Sequence, residues 1–298
     1  MKQRDFNVGR SAIYAEHGIA ATAHPRATLA ALDVLRSGGN AVDAAIAACA
    51  LLGVIEPHST GIGGDCFVLY SPGAAGRPIG LNGSGRAPAA ATLDWYRERG
   101  ISGIEVQTPH AVTVPGAVDA WCRLAADHGT RPIGDLLQPA IEAAEEGYIV
   151  TPRVAHDWAE LTPKLAADPN SRRMFLPQGR APAVGERHRQ PELAATLRRI
   201  AEHGRDGFYA GPVAEDIVAR LRELGGLHTL DDFAATECTY VEPISTNYRG
   251  HDVYEIPPNG QGITALVMLN ALSGYDFGDD RYTDADRYHL IAETAKAA

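Results

Sequence analysis

The sequence is poor in aromatic and sulfur-containing side chains. Trp, Tyr and Phe together make up 7% of its 298 residues, and Met occurs three times. A core assembled from smaller side chains offers less apolar area per residue, which points to a chain that leans on a partner for part of its burial. Four cysteines, Cys49, Cys66, Cys122 and Cys238, lie far apart with no C-x-x-C pair and no zinc-like His spacing. They are expected to be buried, reduced thiols. No run of 18 apolar residues occurs, and the charged start Met1-Lys2-Gln3-Arg4-Asp5 has no apolar stretch behind it, so the sequence reads as cytoplasmic with no membrane role. Positive charge is also in deficit: Lys+Arg number 27 against 37 Asp+Glu, a formal net charge of −10. Such an acidic surface argues against nucleic acid and anionic lipid as partners.

Self-sufficient active-site motifs are missing as well. The Gly61-Ile62-Gly63 turn has Cys66 where a dinucleotide fingerprint needs glycine, and a strand pattern rather than a helix follows it. Ser84 lies between Asn82 and Arg86, so it is no nucleophile elbow. Asp276, Asp279, Asp280, Asp284 and Asp286 lack calcium-loop spacing and read as helix caps and a solvated face. Glu142, Glu145 and Glu146 likewise read as a solvated helix face.

What remains is an ordinary globular mix, 45% hydrophobic and 21% charged, with 31 glycines. The first residues are polar and read as an arm. Gly18 to His24 is expected to be a short strand, and Pro25 to Ser37 a helix with Leu29, Leu32 and Leu35 on one face. Gly38-Gly39 ends that helix and Asn40, with Asp43 three residues on, caps an Ala-rich helix from Ala41 to Leu52. Cys66 to Tyr70 and Pro78 to Asn82 read as paired strands. Helices are expected at Ala117 to His128, Pro132 to Gly147, Glu192 to His203, Val213 to Leu224, Leu230 to Phe233 and Ile263 to Leu272, with a strand over Pro243 to Glu255. A final helix from Thr283 carries no stop signal, which suggests that more chain follows. One α/β domain is the simplest reading. Within it, Asn82-Gly83-Ser84-Gly85-Arg86-Ala87-Pro88 is a Gly-rich turn with one guanidinium; by composition it suits either a carboxylate acceptor or a plain surface turn.

Several blocks resemble the N-terminal half of the γ-glutamyltransferase (γ-glutamyltranspeptidase) family. They are Ala23-His24-Pro25, then Gly38-Gly39-Asn40-Ala41-Val42-Asp43-Ala44-Ala45, Glu56-Pro57-His58-Ser59-Thr60-Gly61-Ile62-Gly63-Gly64, Arg86-Ala87-Pro88-Ala89, Thr113-Val114-Pro115-Gly116, Asp206-Gly207-Phe208-Tyr209-Ala210-Gly211, Tyr248-Arg249-Gly250 and Pro257-Pro258, in family order. The resemblance implies an N-terminal-nucleophile hydrolase with a four-layer αββα sandwich, of which this chain is the large-subunit half. Residues 1–17 would be an N-terminal arm and 18–298 a single domain completed by a small subunit cut from the same precursor. No catalytic residue is expected in this chain, because the nucleophile would be the N-terminal Thr of that partner. No cofactor and no metal are expected, since such nucleophiles need neither. A dimer of heterodimers is left open.

One departure stands out. The family places an Arg for the substrate α-carboxylate in a pattern like R-E-x-A-P; anchored on Ala87-Pro88, that position is Ser84 here, and the Arg falls at Arg86. Two residues along an extended chain share a face about 7 Å apart. Arg86, Ser84, Gly85 and Asn82 are therefore the candidate substrate-binding residues, with Asn259 and Gln261 as a further pocket loop. The N-G-S-G-R-A-P and P-P-N-G-Q-G versions are similar to divergent acylase-like and oxamate-amidohydrolase-like members. The expected function is cleavage of γ-glutamyl or related small acidic acyl amides. The alternatives are a genuine glutathione γ-glutamyl transpeptidase and a non-catalytic scaffold subunit.

Overall fold

The computed structural model describes residues 12–73, 76–278 and 282–298. Positions 1–11 of the expected arm, and Asp279 and Asp280 of the acidic cluster, lie outside them; Ile13 and Tyr14 are exposed. The chain runs α1 (Pro25–Arg36), α2 (Ala41–Ile55), β1 (Cys66–Tyr70), β2 (Ile79–Gly83), α3 (Leu93–Glu98), α4 (Ala117–His128), α5 (Ile133–Glu146), β3 (Tyr148–Ile149) and α6 (Pro152–Glu160). It continues through α7 (Thr162–Ala167), α8 (Pro169–Phe175), β4 (Arg187–His188), α9 (Pro191–His203), α10 (Asp206–Tyr209), α11 (Gly211–Glu223) and α12 (Leu230–Ala234). The last elements are β5 (Thr239–Val241), β6 (Ile244–Tyr248), β7 (His251–Glu255), α13 (Gly262–Leu272) and α14 (Asp284–Ala297). Among the described residues the strands form one three-stranded antiparallel sheet, β1-β2-β5, the antiparallel pair β3-β4 and the hairpin β6-β7.

Helix α2 is the centre of the core, packed against α1, α4 and α5. Its start is fixed by a reciprocal cap: Asn40 Oδ1 accepts from the Val42 and Asp43 amides, and Asp43 Oδ2 accepts from the Asn40 amide. The same Asp43 takes the Thr130 amide at 3.0 Å and its hydroxyl at 2.5 Å, while Asn40 Nδ2 donates to the His128 carbonyl. The G-G-N-A-V-D block is thus a staple between α2 and the end of α4. Burial by itself would raise the Asp43 carboxyl, but these donors hold it below the usual carboxylate range.

Four expectations change. Gly18 to His24 forms no strand; His24 instead caps α1, its Nδ1 accepting from the Arg26 amide. The buried face of α1 is Ala27, Ala30, Ala31 and Val34, with Leu29 exposed, because close contact with α2 selects the small residues. Cys49 is exposed: with Ala41 and Ala45 it forms the one open stripe of α2, facing an apolar groove of about 280 Å³ against Cys66, Val68 and Trp121. Pro243 to Glu255 is also two strands rather than one, turned at Arg249-Gly250. The four thiols are free, and burial pushes Cys66, Cys122 and Cys238 up to about 12.

His188 is buried in an aromatic cage of Trp158, Phe175 and Tyr148, and its Nε2 has no partner. Burial lowers it from 6.5 to about 4. The unfolded chain then binds a proton that the folded chain refuses, so stability is intact above pH 6.5 and falls towards pH 4. The expected slope from this residue is up to about 1.4 kcal/mol per pH unit across that window. Urea titrations at neutral and mildly acid pH should show the acid loss shrinking in His188→Phe; an unchanged slope would rule out this source.

Candidate active site cleft

The cleft is built where β2 runs out. Gly83 ends the strand, paired with Cys66 of β1, and Asn82 pairs with Thr239 of β5. Gly85 then turns the chain with φ +75°. At this point the backbone touches the Thr113-Val114-Pro115-Gly116 segment. The Val114 amide donates to the Arg86 carbonyl at 2.8 Å, and the Gly116 amide donates to the Gly64 carbonyl at 3.0 Å. A Cβ on Gly85 would lie 1.9 Å from the Val114 oxygen, and one on Gly116 would lie 2.1 Å from the Gly83 oxygen. Glycine is required on both sides because the two backbones are in contact.

This turn opens into a cleft of about 240 Å³ lined by Asn82, Ser84, Gly85, Arg86, Glu237, Thr239 and Asn259. Asn82 organises it: its Oδ1 accepts from the Ser84 amide at 3.0 Å, and its Nδ2 donates to Asn259 Oδ1 at 3.1 Å. Ser84 and Arg86 both line the cleft, although the turn at Gly85 removes the simple extended-chain offset expected from their spacing. The Arg86 guanidinium makes no hydrogen bond or ion pair with any described residue, so it is open to a ligand. Gln261 does not line the cleft. It heads α13, and its Oε1 accepts from the Thr264 hydroxyl at 3.4 Å. Glu237 and Thr239 line the cleft without having been singled out from the sequence, because only the pairing of β2 with β5 brings them there.

A buried platform supports the far wall. Asp119 of α4 accepts from Arg205 Nε at 2.6 Å and from the Cys238 amide at 2.6 Å. Arg205 also donates to the Thr236 and Ala234 carbonyls and stacks over the Tyr209 ring at 4.6 Å. Tyr209 in turn donates to the Pro115 carbonyl at 2.6 Å and accepts from the Asp119 amide. The D-G-F-Y and T-V-P-G blocks therefore meet in one network. The near wall is braced by Asp232, whose Oδ1 accepts from the Ala89 amide at 2.8 Å.

One cluster of metal-capable side chains occurs among the described residues: His156, Asp157 and Glu160 of α6, with ligating atoms within 4.8 Å of one another. Asp157 Oδ2 already receives Arg153 Nε at 2.6 Å, with His58 Nε2 at 3.4 Å, so an arginine supplies the positive charge there. The cluster shares no residue with the cleft.

The chain is 39% identical over 274 residues to the glutathione hydrolase-like YwrD proenzyme of Bacillus subtilis, covering 92% of this chain and 52% of that protein. It is 37% identical over 288 residues to the oxamate amidohydrolase proenzyme of Klebsiella pneumoniae, covering 95% and 54%. The crystal structure of cephalosporin acylase from Bacillus halodurans superposes with a TM-score of 0.90 at 42% identity, covering 99% of this chain and 56% of that one. The chain thus spans about half the length of the curated relatives it matches. The mixed α/β architecture is that of the N-terminal-nucleophile hydrolases to which these relatives belong. The blocks that cap α2, join β2 to α4 and brace the cleft all lie within residues 27–298, the stretch matched by the gamma-glutamyltranspeptidase family model, and the chain belongs to that family.

Proposed function

We propose that this chain forms the substrate-pocket half of an amide hydrolase or acyltransferase that cleaves γ-glutamyl or related small acidic acyl amides. The observation that carries this reading is the unpaired Arg86 guanidinium in a cleft otherwise lined by Ser84, Asn82, Asn259, Glu237 and Thr239. A guanidinium with free donors is a good binding site for a carboxylate, which accepts from it in a charged hydrogen bond worth about 1.5–3 kcal/mol. The nucleophile in this reading is the N-terminal Thr of a small subunit from the same precursor. The relatives named proenzymes support that arrangement. The Thr hydroxyl would attack the amide carbonyl with its own α-amine as general base. An amine then leaves, and the acyl-enzyme passes to water or to an acceptor amine. In the same reading, residues 18–298 act as one unit completed by that subunit.

The test is steady-state kinetics of the processed enzyme on γ-glutamyl anilide, oxamate and glutaryl amides. Arg86→Ala should lower kcat/KM on the preferred acidic substrate by roughly 10- to 100-fold. Turnover of glutathione as the best substrate, with Arg86→Ala leaving its kcat/KM unchanged, would overturn this reading. The transpeptidase alternative is separated by whether product formation depends on an added acceptor amine.

A further inference from the structure

Glu237 lies in a short coil between α12 and β5, a place with no local signal for function. The residues on either side of it are clamped. The Thr236 carbonyl accepts from Arg205 Nη2, and the Cys238 amide donates to Asp119 Oδ2 at 2.6 Å. Thr236 is itself buried, and its hydroxyl donates to the Asp232 carbonyl at 2.8 Å. Thr239, next along, is fixed in register opposite Asn82. The backbone around Glu237 is therefore held at three points while its side chain lines the cleft that also holds Arg86. Neither charge is spent on the other or on any described residue. An exposed carboxylate on a clamped stretch of backbone, sharing a cleft with an unpaired guanidinium, matches a ligand head that carries both signs of charge.

We infer that Glu237 is a specificity-determining residue that selects acyl groups bearing a protonated amine beside their carboxylate, and disfavours acyl groups that carry the carboxylate alone. This rests on the reading of the cleft as the acyl pocket. Arg86 takes the carboxylate of either class. Glu237 accepts from the ammonium of the first and repels the second, whose single charge has the same sign.

The experiment compares γ-glutamyl anilide with glutaryl anilide, which differ by that amine, in the processed enzyme and its Glu237→Gln variant. Wild type should favour the γ-glutamyl compound. Glu237→Gln should lower its kcat/KM by about 10- to 100-fold while leaving the glutaryl compound unchanged or faster, so that the ratio of the two collapses. Competition supplies a second readout: L-glutamate should lose inhibitory strength in the variant, and glutarate should not. A parallel loss on both substrates, or a wild-type preference for glutaryl anilide, overturns the role given to Glu237 while the acyl-amide reading stands. Failure of wild type to cleave any acidic acyl amide overturns that reading, and this inference with it.

Discussion

Gly85→Ala is expected to destabilise the protein by about 3 kcal/mol or more and to abolish measurable turnover. Two effects add. The residue sits at φ +75°, where an L side chain is strained, and the new methyl carbon would meet the Val114 carbonyl oxygen at 1.9 Å. Val114 has little room to retreat. It is buried, its amide is bonded to the Arg86 carbonyl, and the next carbonyl, Pro115, is held by Tyr209. Relief must come from the Ser84–Arg86 segment itself, which moves the groups proposed to hold substrate. Thermal melts and kcat/KM on the preferred amide check both parts. A variant with wild-type Tm and activity would show that the two backbones can separate without cost.

Asp119→Ala should be comparably severe, about 3–5 kcal/mol, because it strips a buried ion pair of one partner. Asp119 is 6% exposed and has two acceptor oxygens, one on Arg205 and one on the Cys238 amide. Removing it leaves a half-buried guanidinium and an orphaned amide together. Asp119→Asn keeps one acceptor oxygen and should lose less. Denaturant unfolding of the two variants separates the charge from the hydrogen bond. A third variant, Arg205→Leu, completes a cycle with Asp119→Ala in which the double mutant should lose less than the sum of the singles. Additive losses would mean that the two residues act independently.

The residues legible in the sequence were those whose partners are close along the chain. Asn40 and Asp43 announce a capping box because the cap is made within four residues, and the structure places it there. The β1-β2 pairing was legible for the same reason, with two apolar runs either side of a Gly-rich turn. The buried face of α1 was not, since a core of alanines reverses the usual meaning of Leu29 and its neighbours. The short helices α6, α7 and α8 are not legible in the sequence because each is brief and opens on proline near its first turn. At the cleft, the Gly-rich turn with Arg86 was visible as a candidate. Glu237 was not, because its meaning comes from Asp119 and Arg205, which lie far from it in sequence.

The order of strands β1-β2-β5 also bears on how the chain matures. β2 pairs with β1 across a short connection, but its other edge waits for Thr239–Val241, which emerge much later in synthesis. At ribosomal speeds that delay is on the order of 10 seconds. During it, the Asn82 edge is an open strand edge, the kind of surface that recruits other strands. The half-built cleft is therefore also a point at which the nascent chain can mispair, and slowed synthesis between β2 and β5 should raise aggregation before it lowers activity.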